Sequence, residues 1–224
     1  MPSALETYGP ISPPFDFNHT NVSQFSPEVT GRLLLKSMCA RLGWPSTSGK
    51  RVLDFGCGVR LARTIFNLEI DIGLYVGVDT NNAPIAWLKE NLSDPRFRFE
   101  HLDMHNALYN PDGRTFGPNA LRDMDLGTFD AACMFSVITH QEPDDAELIF
   151  SMLRPCAARL YFTALIDDSV DGYVEKDPER PLLLSAYSTA RIIQLLSRTG
   201  WRVDNMFPVS LHLFQQAAFV ATAQ

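Results

Sequence analysis

Residues 51 to 58 read Arg-Val-Leu-Asp-Phe-Gly-Cys-Gly, an apolar run that reaches an acid and then breaks at Gly56 and Gly58. A chain patterned this way leaves a buried strand through a sharp turn, and glycines allow both the turn and a close approach of backbone to a ligand. A second apolar run, Tyr75-Val-Gly-Val-Asp79, also ends on a carboxylate, 25 residues beyond Asp54. That interval is about the spacing at which an acid closing a second strand meets a ribose. The pair points to an α/β unit with an adenosine site at its carboxyl edge.

The rest of the chain continues the alternation. Apolar runs of strand length near 51–55, 74–78, 97–102, 129–135 and 159–165 alternate with helical patterns near 60–67, 83–92, 143–154 and 188–199. This is the signature of a doubly wound, mostly parallel sheet with right-handed crossovers. Ahead of them Ser26-Pro27-Glu28 supplies a cap and a first-turn proline, and Leu33, Leu34, Met38 and Leu42 recur at helical spacing, so a helix over 26–42 is expected. At the other end, Trp201 to Phe207 and Leu211 to Ala221 lie too close together for a helical crossover and must pair antiparallel. The expected architecture is a seven-stranded α/β sheet ending in an antiparallel hairpin, carried by one domain over 26–224. Residues 1–25, with four prolines and no periodicity, read as an extended arm, and a lid over the cofactor is the functional reading of that arm.

Composition narrows the function. A length of 224 residues with 46% hydrophobic content suits one core. A net charge of −7 argues against a nucleic-acid polymer as substrate, because phosphate binding draws on a surplus of Lys and Arg. Cys39, Cys57, Cys133 and Cys156 lack metal-like spacing and read as small buried hydrophobes of a reduced, cytoplasmic protein. Neither a leader pattern nor an apolar stretch of 18 or more residues is present, so no membrane partner is expected.

Four segments in order, Val52 to Gly58, Tyr75 to Asp79, Phe97 to Met104 and Phe129 to His140, give the chain a resemblance to the class I S-adenosylmethionine-dependent methyltransferases, over most of residues 27 to 223. A closer resemblance, from Asp79 through the Asn110-Pro-Asp-Gly113 turn, is to small bacterial O-methyltransferases of sugar and polysaccharide biosynthesis. The resemblance implies S-adenosylmethionine as cofactor and S-adenosylhomocysteine as product. It implies that Asp54, Gly56, Cys57 and Gly58 cradle the amino-acid part, that Asp79 with Thr80 meets the ribose, that Asp103 and Met104 flank the adenine, and that Ser136 belongs to the same cofactor site. One departure stands out: the family's third glycine is missing, and Gly58-Val59 runs directly into Arg60-Leu61, so a turn one residue shorter is expected.

The sulfonium already activates its methyl group, so the protein must mainly position an acceptor. A sugar hydroxyl is a weak nucleophile at neutral pH and gains from a nearby base. His140, a few residues past the fourth strand beside Ser136 and Thr139, is the candidate general base. His101 and His105 flank Asp103 and read as polar loop residues. Asp167, Asp168 and Asp171 have oxygen ligands suited to Mg²⁺, but no acid closes the fourth strand to complete a set, and no metal is expected. Residues 106–128 and 166–187, the second with Tyr173, Lys176, Arg180 and Tyr187, are loops long enough to select the acceptor. Trp87, Ile85, Leu88 and Leu92 read as core. Function then reads as methyl transfer to a small polar acceptor, a sugar or glycoside hydroxyl first and another N- or O-acceptor second. A non-catalytic S-adenosylmethionine-binding protein is the rival from another class, and a NAD-dependent oxidoreductase is disfavoured by the terminal hairpin. Self-association is left open by the sequence.

Overall fold

The computed structural model describes residues 11–14, 26–177, 179, 184–211 and 215–224. They fall into two compact units, one ending at Leu102 and one running from Asp103 to Gln224.

The first unit opens with α1 (Pro27–Leu42), where Ser26 Oγ accepts from the Val29 amide and Gly43 closes the helix at φ 68°. Leu34, Met38 and Leu42 are buried as their spacing requires, whereas Leu33 is 41% exposed and lies off that face. Three strands follow, β1 (Arg51–Phe55), β2 (Leu74–Asp79) and β3 (Phe97–His101), separated by α2 (Arg60–Asn67) and α3 (Asn82–Asn91). They pair in parallel in the order β3-β2-β1, with Leu53 opposite Val76 and Val76 opposite Arg98. Near-continuous burial along β1 and β2 is what a parallel sheet covered on both faces demands. Tyr75, Phe97 and Phe99 pack their rings together, and Ile85, Leu88 and Leu92 of the α3 region are buried as expected.

Beside α1 and α2, Glu28 accepts from Arg63 Nε at 2.5 Å and from Asn67 Nδ2 at 3.0 Å, all three side chains being buried. Asn67 also holds the backbone of Ile11 from both sides, donating to its carbonyl at 3.0 Å and accepting from its amide at 3.4 Å. Of the expected N-terminal arm, then, Ile11 is pinned and buried; Tyr8, Phe15, Phe17 and Phe25 lie outside the described residues.

The second unit contains the short helix α4 (Ala120–Asp123), β4 (Ala131–Met134), a 3-10 turn at Ile138–His140, α5 (Pro143–Leu153) and β5 (Arg159–Ile166), then β6 (Tyr173–Glu175), β7 (Ser185–Tyr187), α6 (Thr189–Arg198), β8 (Trp201–Leu211) and β9 (Gln216–Ala223). β4 pairs with β5 in parallel, and β9 runs antiparallel to both β5 and β8. The terminal hairpin is therefore where the sequence places it, with register shifts after Val203 and Phe207 that bend β8. Phe150, Phe162 and Phe219 stack through its core, and Trp201 Nε1 donates to the Phe150 carbonyl at 2.9 Å. Within 166–187, expected as a loop, Tyr173–Glu175 and Ser185–Tyr187 instead pair antiparallel as β6 and β7, and β7 extends the sheet by pairing with the last residues of β5, Leu165 and Ile166. Three-residue strands carry too little alternation to be read as strands from sequence.

Candidate functional site

In the first unit the chain leaves β1 at Phe55 and turns through Gly56 at φ 71° and Gly58 at φ 48°, left-handed values that a side chain resists. The turn is fastened to the end of β2: the Gly56 and Cys57 amides donate to the Val78 carbonyl at 2.8 and 3.2 Å. The Gly58 amide donates to Asp79 Oδ2 at 2.8 Å, while the Asn81 amide donates to Oδ1 at 2.8 Å. The two motifs read separately in the sequence thus share one carboxylate. A Cβ added at Gly58 would meet nothing within 4 Å, so open space adjoins the turn on that side.

Asp54 is buried and accepts from the Tyr75 hydroxyl at 2.6 Å, which ties β1 to β2 beneath the turn. Cys57 is also buried, and its thiol is pushed well above the ordinary value by burial first and then by the Asp79 and Asp54 charges. It packs so close to β2 that a Cβ on Gly77 would lie 2.8 Å from its Sγ. Gly77 is therefore required by the turn it faces.

No glycine follows Gly58 before α2. Val59, buried to 2% exposure, stands at the cap position of α2 and offers no side-chain acceptor, so the helix starts at Arg60 directly after the Gly-x-Gly turn. Burial lowers the Arg60 guanidinium from its usual range. Thr80 follows Asp79, and its carbonyl is 3.1 Å from His101 Nε2, which gives His101 a structural partner.

In the second unit Asp103 is 36% exposed at its side chain and accepts from Asn110 Nδ2 at 3.1 Å and Arg114 Nε at 2.9 Å. The Asn110–Gly113 turn closes over it, and the adjacent Met104 is buried in an isolated bridge to Arg114. Ser136, two residues past β4, has φ 60°, a strained value for serine that costs of order 1–3 kcal/mol. Its amide donates to Thr163 Oγ1 at 2.9 Å, its carbonyl accepts from Thr139 Oγ1 at 2.8 Å, and its hydroxyl meets the Gln216 amide at 3.0 to 3.2 Å.

His140 ends the 3-10 turn, half-buried, with the Tyr109 ring edge-on to the imidazole at 5.5 Å. Buried Asn106 donates to the His140 carbonyl at 3.4 Å and holds the 106–109 turn by accepting from the Leu108 and Tyr109 amides. The Gln141 carbonyl accepts from the Tyr187 hydroxyl at 2.7 Å, and burial drives that phenol far above its ordinary pKa. Sequence reasoning did not single out Asn106, Tyr109, Gln141, Thr163 or Gln216. Asn106, Tyr109, Thr163 and Gln216 reach the Ser136–Gln141 segment across 27 to 80 residues of chain or from a loop without periodicity, and Gln141 acts through its backbone carbonyl, so no local signal exists.

The acidic loop is otherwise engaged. Asp167 accepts from Lys176 and Ser169, and Asp168 caps α6 by accepting from the Thr189 amide at 2.6 Å. Among the described residues no group of three His, Cys, Asp or Glu side chains is arranged to hold a metal. Arg180 lies outside the described residues.

No protein-family model matches the chain. Solved structures do. An amino pentose methyltransferase of calicheamicin biosynthesis from Micromonospora echinaspora, CalS10 with S-adenosylmethionine bound, aligns over 96% of this chain and 98% of its own, with a TM-score of 0.61 and 14% identity. The fold is the Rossmann-like methyltransferase fold. Magnesium protoporphyrin IX methyltransferase from Synechocystis PCC 6803 aligns over 97% of this chain and 88% of its own, with a TM-score of 0.56 and 16% identity. The glycopeptide N-methyltransferase MtfA aligns over 89% and 91%, with a TM-score of 0.57 and 10% identity. Methyltransferases acting on such different molecules share this fold, which carries the sheet and the terminal hairpin but no acceptor.

Proposed function

We propose that this chain transfers a methyl group from S-adenosylmethionine to a hydroxyl of a sugar or glycoside. The observation that carries the cofactor half is the Gly58–Asp79 hydrogen bond, which joins the positive-φ glycine turn to the acid at the end of β2. The residues fit the cofactor: open space lies beside Gly58, and the Asp79 carboxylate, an acceptor of the kind ribose hydroxyls donate to, closes β2 beside the turn. Solved methyltransferases of this fold, CalS10 among them, are crystallised with S-adenosylmethionine, which supports the same assignment here.

When bound, the cofactor supplies a sulfonium-activated methyl group. Gly56, Cys57 and Gly58 bring backbone close to its amino-acid part, Asp79 and Thr80 bind and orient the ribose, and Asp103 with Met104 contacts the adenine. Ser136, assigned to cofactor binding by the resemblance, is held by Thr163 and Gln216. His140 accepts the acceptor hydroxyl's proton at an imidazole nitrogen. Its backbone is tied through Asn106, its neighbour Gln141 through Tyr187, and its ring abuts Tyr109, so the base is oriented before substrate arrives. Positioning of the acceptor supplies about 7–11 kcal/mol of the barrier, against about 10²–10⁴-fold for the base.

The sugar reading is supported by the amino pentose substrate of CalS10 and by the acidic net charge, which disfavours nucleic acid. The test is transfer of labelled methyl from S-adenosylmethionine into fractionated extract of the source organism, with the Asp79→Ala protein as control. Label in soluble glycosides or glycolipids is the expected result. Label confined to protein or nucleic acid overturns the acceptor and leaves the donor.

A further inference from the structure

The approach to β6 and the first turns of α6 line a cavity of about 570 Å³ in the second unit, with Pro143, Asp171, Tyr173, Ser188, Arg191 and Gln194 among its lining residues. That volume lies within the range of small-molecule sites. Its place in the fold is at the carboxyl end of β7, since Tyr187 is the last register partner of β5, and the next residue, Ser188, donates its amide to the Gly172 carbonyl at 2.9 Å. One of its lining residues lies close in sequence to the candidate base. Pro143 follows His140 by three residues, and the Tyr187 hydroxyl is bonded to the carbonyl of intervening Gln141.

The lining has mixed chemistry. Tyr173 is held in place: its hydroxyl lies 3.2 Å from Ser185 Oγ and 3.3 Å from Glu175 Oε1, and its ring packs at 5.1 Å on Tyr187. An aromatic face fixed in this way can receive the C–H face of a ring. Arg191 Nη1 donates to Gln194 Oε1 at 2.6 Å, which orients both side chains and leaves the Gln194 NH₂ and further guanidinium N–H groups as donors. Asp171 supplies acceptors. An apolar ligand would strand these polar groups, and a simple anion would meet the Asp171 carboxylate. A ring bearing several hydroxyls, each both donor and acceptor, satisfies donors and acceptors together.

We propose that this cavity is a sugar subsite that binds a neutral hydroxylated ring of the acceptor beyond the one being methylated, so that the substrate is a glycoside of at least two rings. The proposal rests on the methyl-transfer reading above, and it assigns Tyr173, Arg191 and Gln194 as specificity residues. The experiment is saturation-transfer NMR of maltose, cellobiose and chitobiose on the wild-type protein with S-adenosylhomocysteine present, repeated on Tyr173→Leu and Arg191→Ala. The dissociation constant for S-adenosylhomocysteine, measured by calorimetry, reports whether each variant is folded. Saturation of at least one disaccharide is expected, weakened tenfold or more in both variants while the S-adenosylhomocysteine constant stays within twofold. No saturation of any of the three sugars, or undiminished saturation in Arg191→Ala, overturns the subsite. Failure of the two readings is distinguishable. Sugar bound through these side chains, with label passing only to protein or nucleic acid, refutes sugar methylation and keeps the cavity. Methyl transfer to a glycoside whose KM is unchanged in both variants refutes the cavity and keeps the transfer.

Discussion

The glycine turn of the first unit and the Ser136–Gln141 segment of the second are built in opposite ways. The turn is made from two stretches, 54–58 and 75–79, whose contacts are mostly backbone amides meeting Val78 and Asp79. The segment after β4 is shaped by side chains from elsewhere: Asn106, Thr163, Tyr187 and Gln216. A backbone-made site depends on conformations that only certain residues adopt, so it leaves a motif. A side-chain-made site leaves none, and it can change its ligand while the fold stays constant. Solved relatives of this fold act on a porphyrin, a glycopeptide and an amino pentose, as that division of labour allows.

The sharpest way to break the comparison is Asp79→Ala. The two ribose hydrogen bonds proposed for this carboxylate, about 1.5–3 kcal/mol each, would be lost together with the anchor of the Gly58 amide. Cofactor affinity measured by calorimetry should fall by about a hundredfold or more, and an unchanged dissociation constant would place the ribose elsewhere. His140→Ala tests the other region. The turnover number should fall by about 10²–10⁴-fold with cofactor affinity intact, whereas unchanged turnover removes the base. Gly77→Ala probes the backbone-made site from beneath, through the Cys57 sulfur 2.8 Å from the new methyl. Overpacking of this kind costs about 1–3 kcal/mol, and Tm should drop by roughly 2–4 °C for each kcal/mol; an unaltered melting curve would show that the turn yields freely.

The smallest effect is electrostatic and sits on the acidic loop. Lys176, then Ser169, holds the Asp167 carboxyl down to about 2, below its ordinary 3.8. The folded value is the lower one, so its contribution to stability is complete above about pH 4 and fades as pH falls toward 2. In Lys176→Met an NMR titration should find the Asp167 midpoint moved up toward the ordinary value. A midpoint that stays near 2 would assign the shift to Ser169 alone.

Legibility followed the same division. Elements with long apolar runs, helical periodicity or a cap were readable: β1 and β2, α1 with its Ser26 cap, α6, and the terminal hairpin. The β6–β7 hairpin was not, because its pairing with β5 at Leu165 and Ile166 is what makes strands of two tripeptides. For the candidate site, Asp54, Gly56, Gly58 and Asp79 could be named from spacing, yet the hydrogen bond that ties Gly58 to the Asp79 carboxylate appears only in three dimensions. Asp103 could be named too, but not its engagement with Arg114 and Asn110.

By itself the sequence determined the alternation of strands and helices, the left-handed glycine turn, the acid on each of the first two strands and the antiparallel ending. Those are properties of local backbone preference and hydrophobic period, which neighbouring residues settle among themselves. Tertiary structure alone decided that Ser136 takes a strained left-handed conformation under Thr163 and Gln216, that His140 lies against Tyr109, and that Tyr173 and Arg191 line one cavity. These arrangements join residues tens of positions apart, and only the closed chain brings such partners within hydrogen-bonding distance.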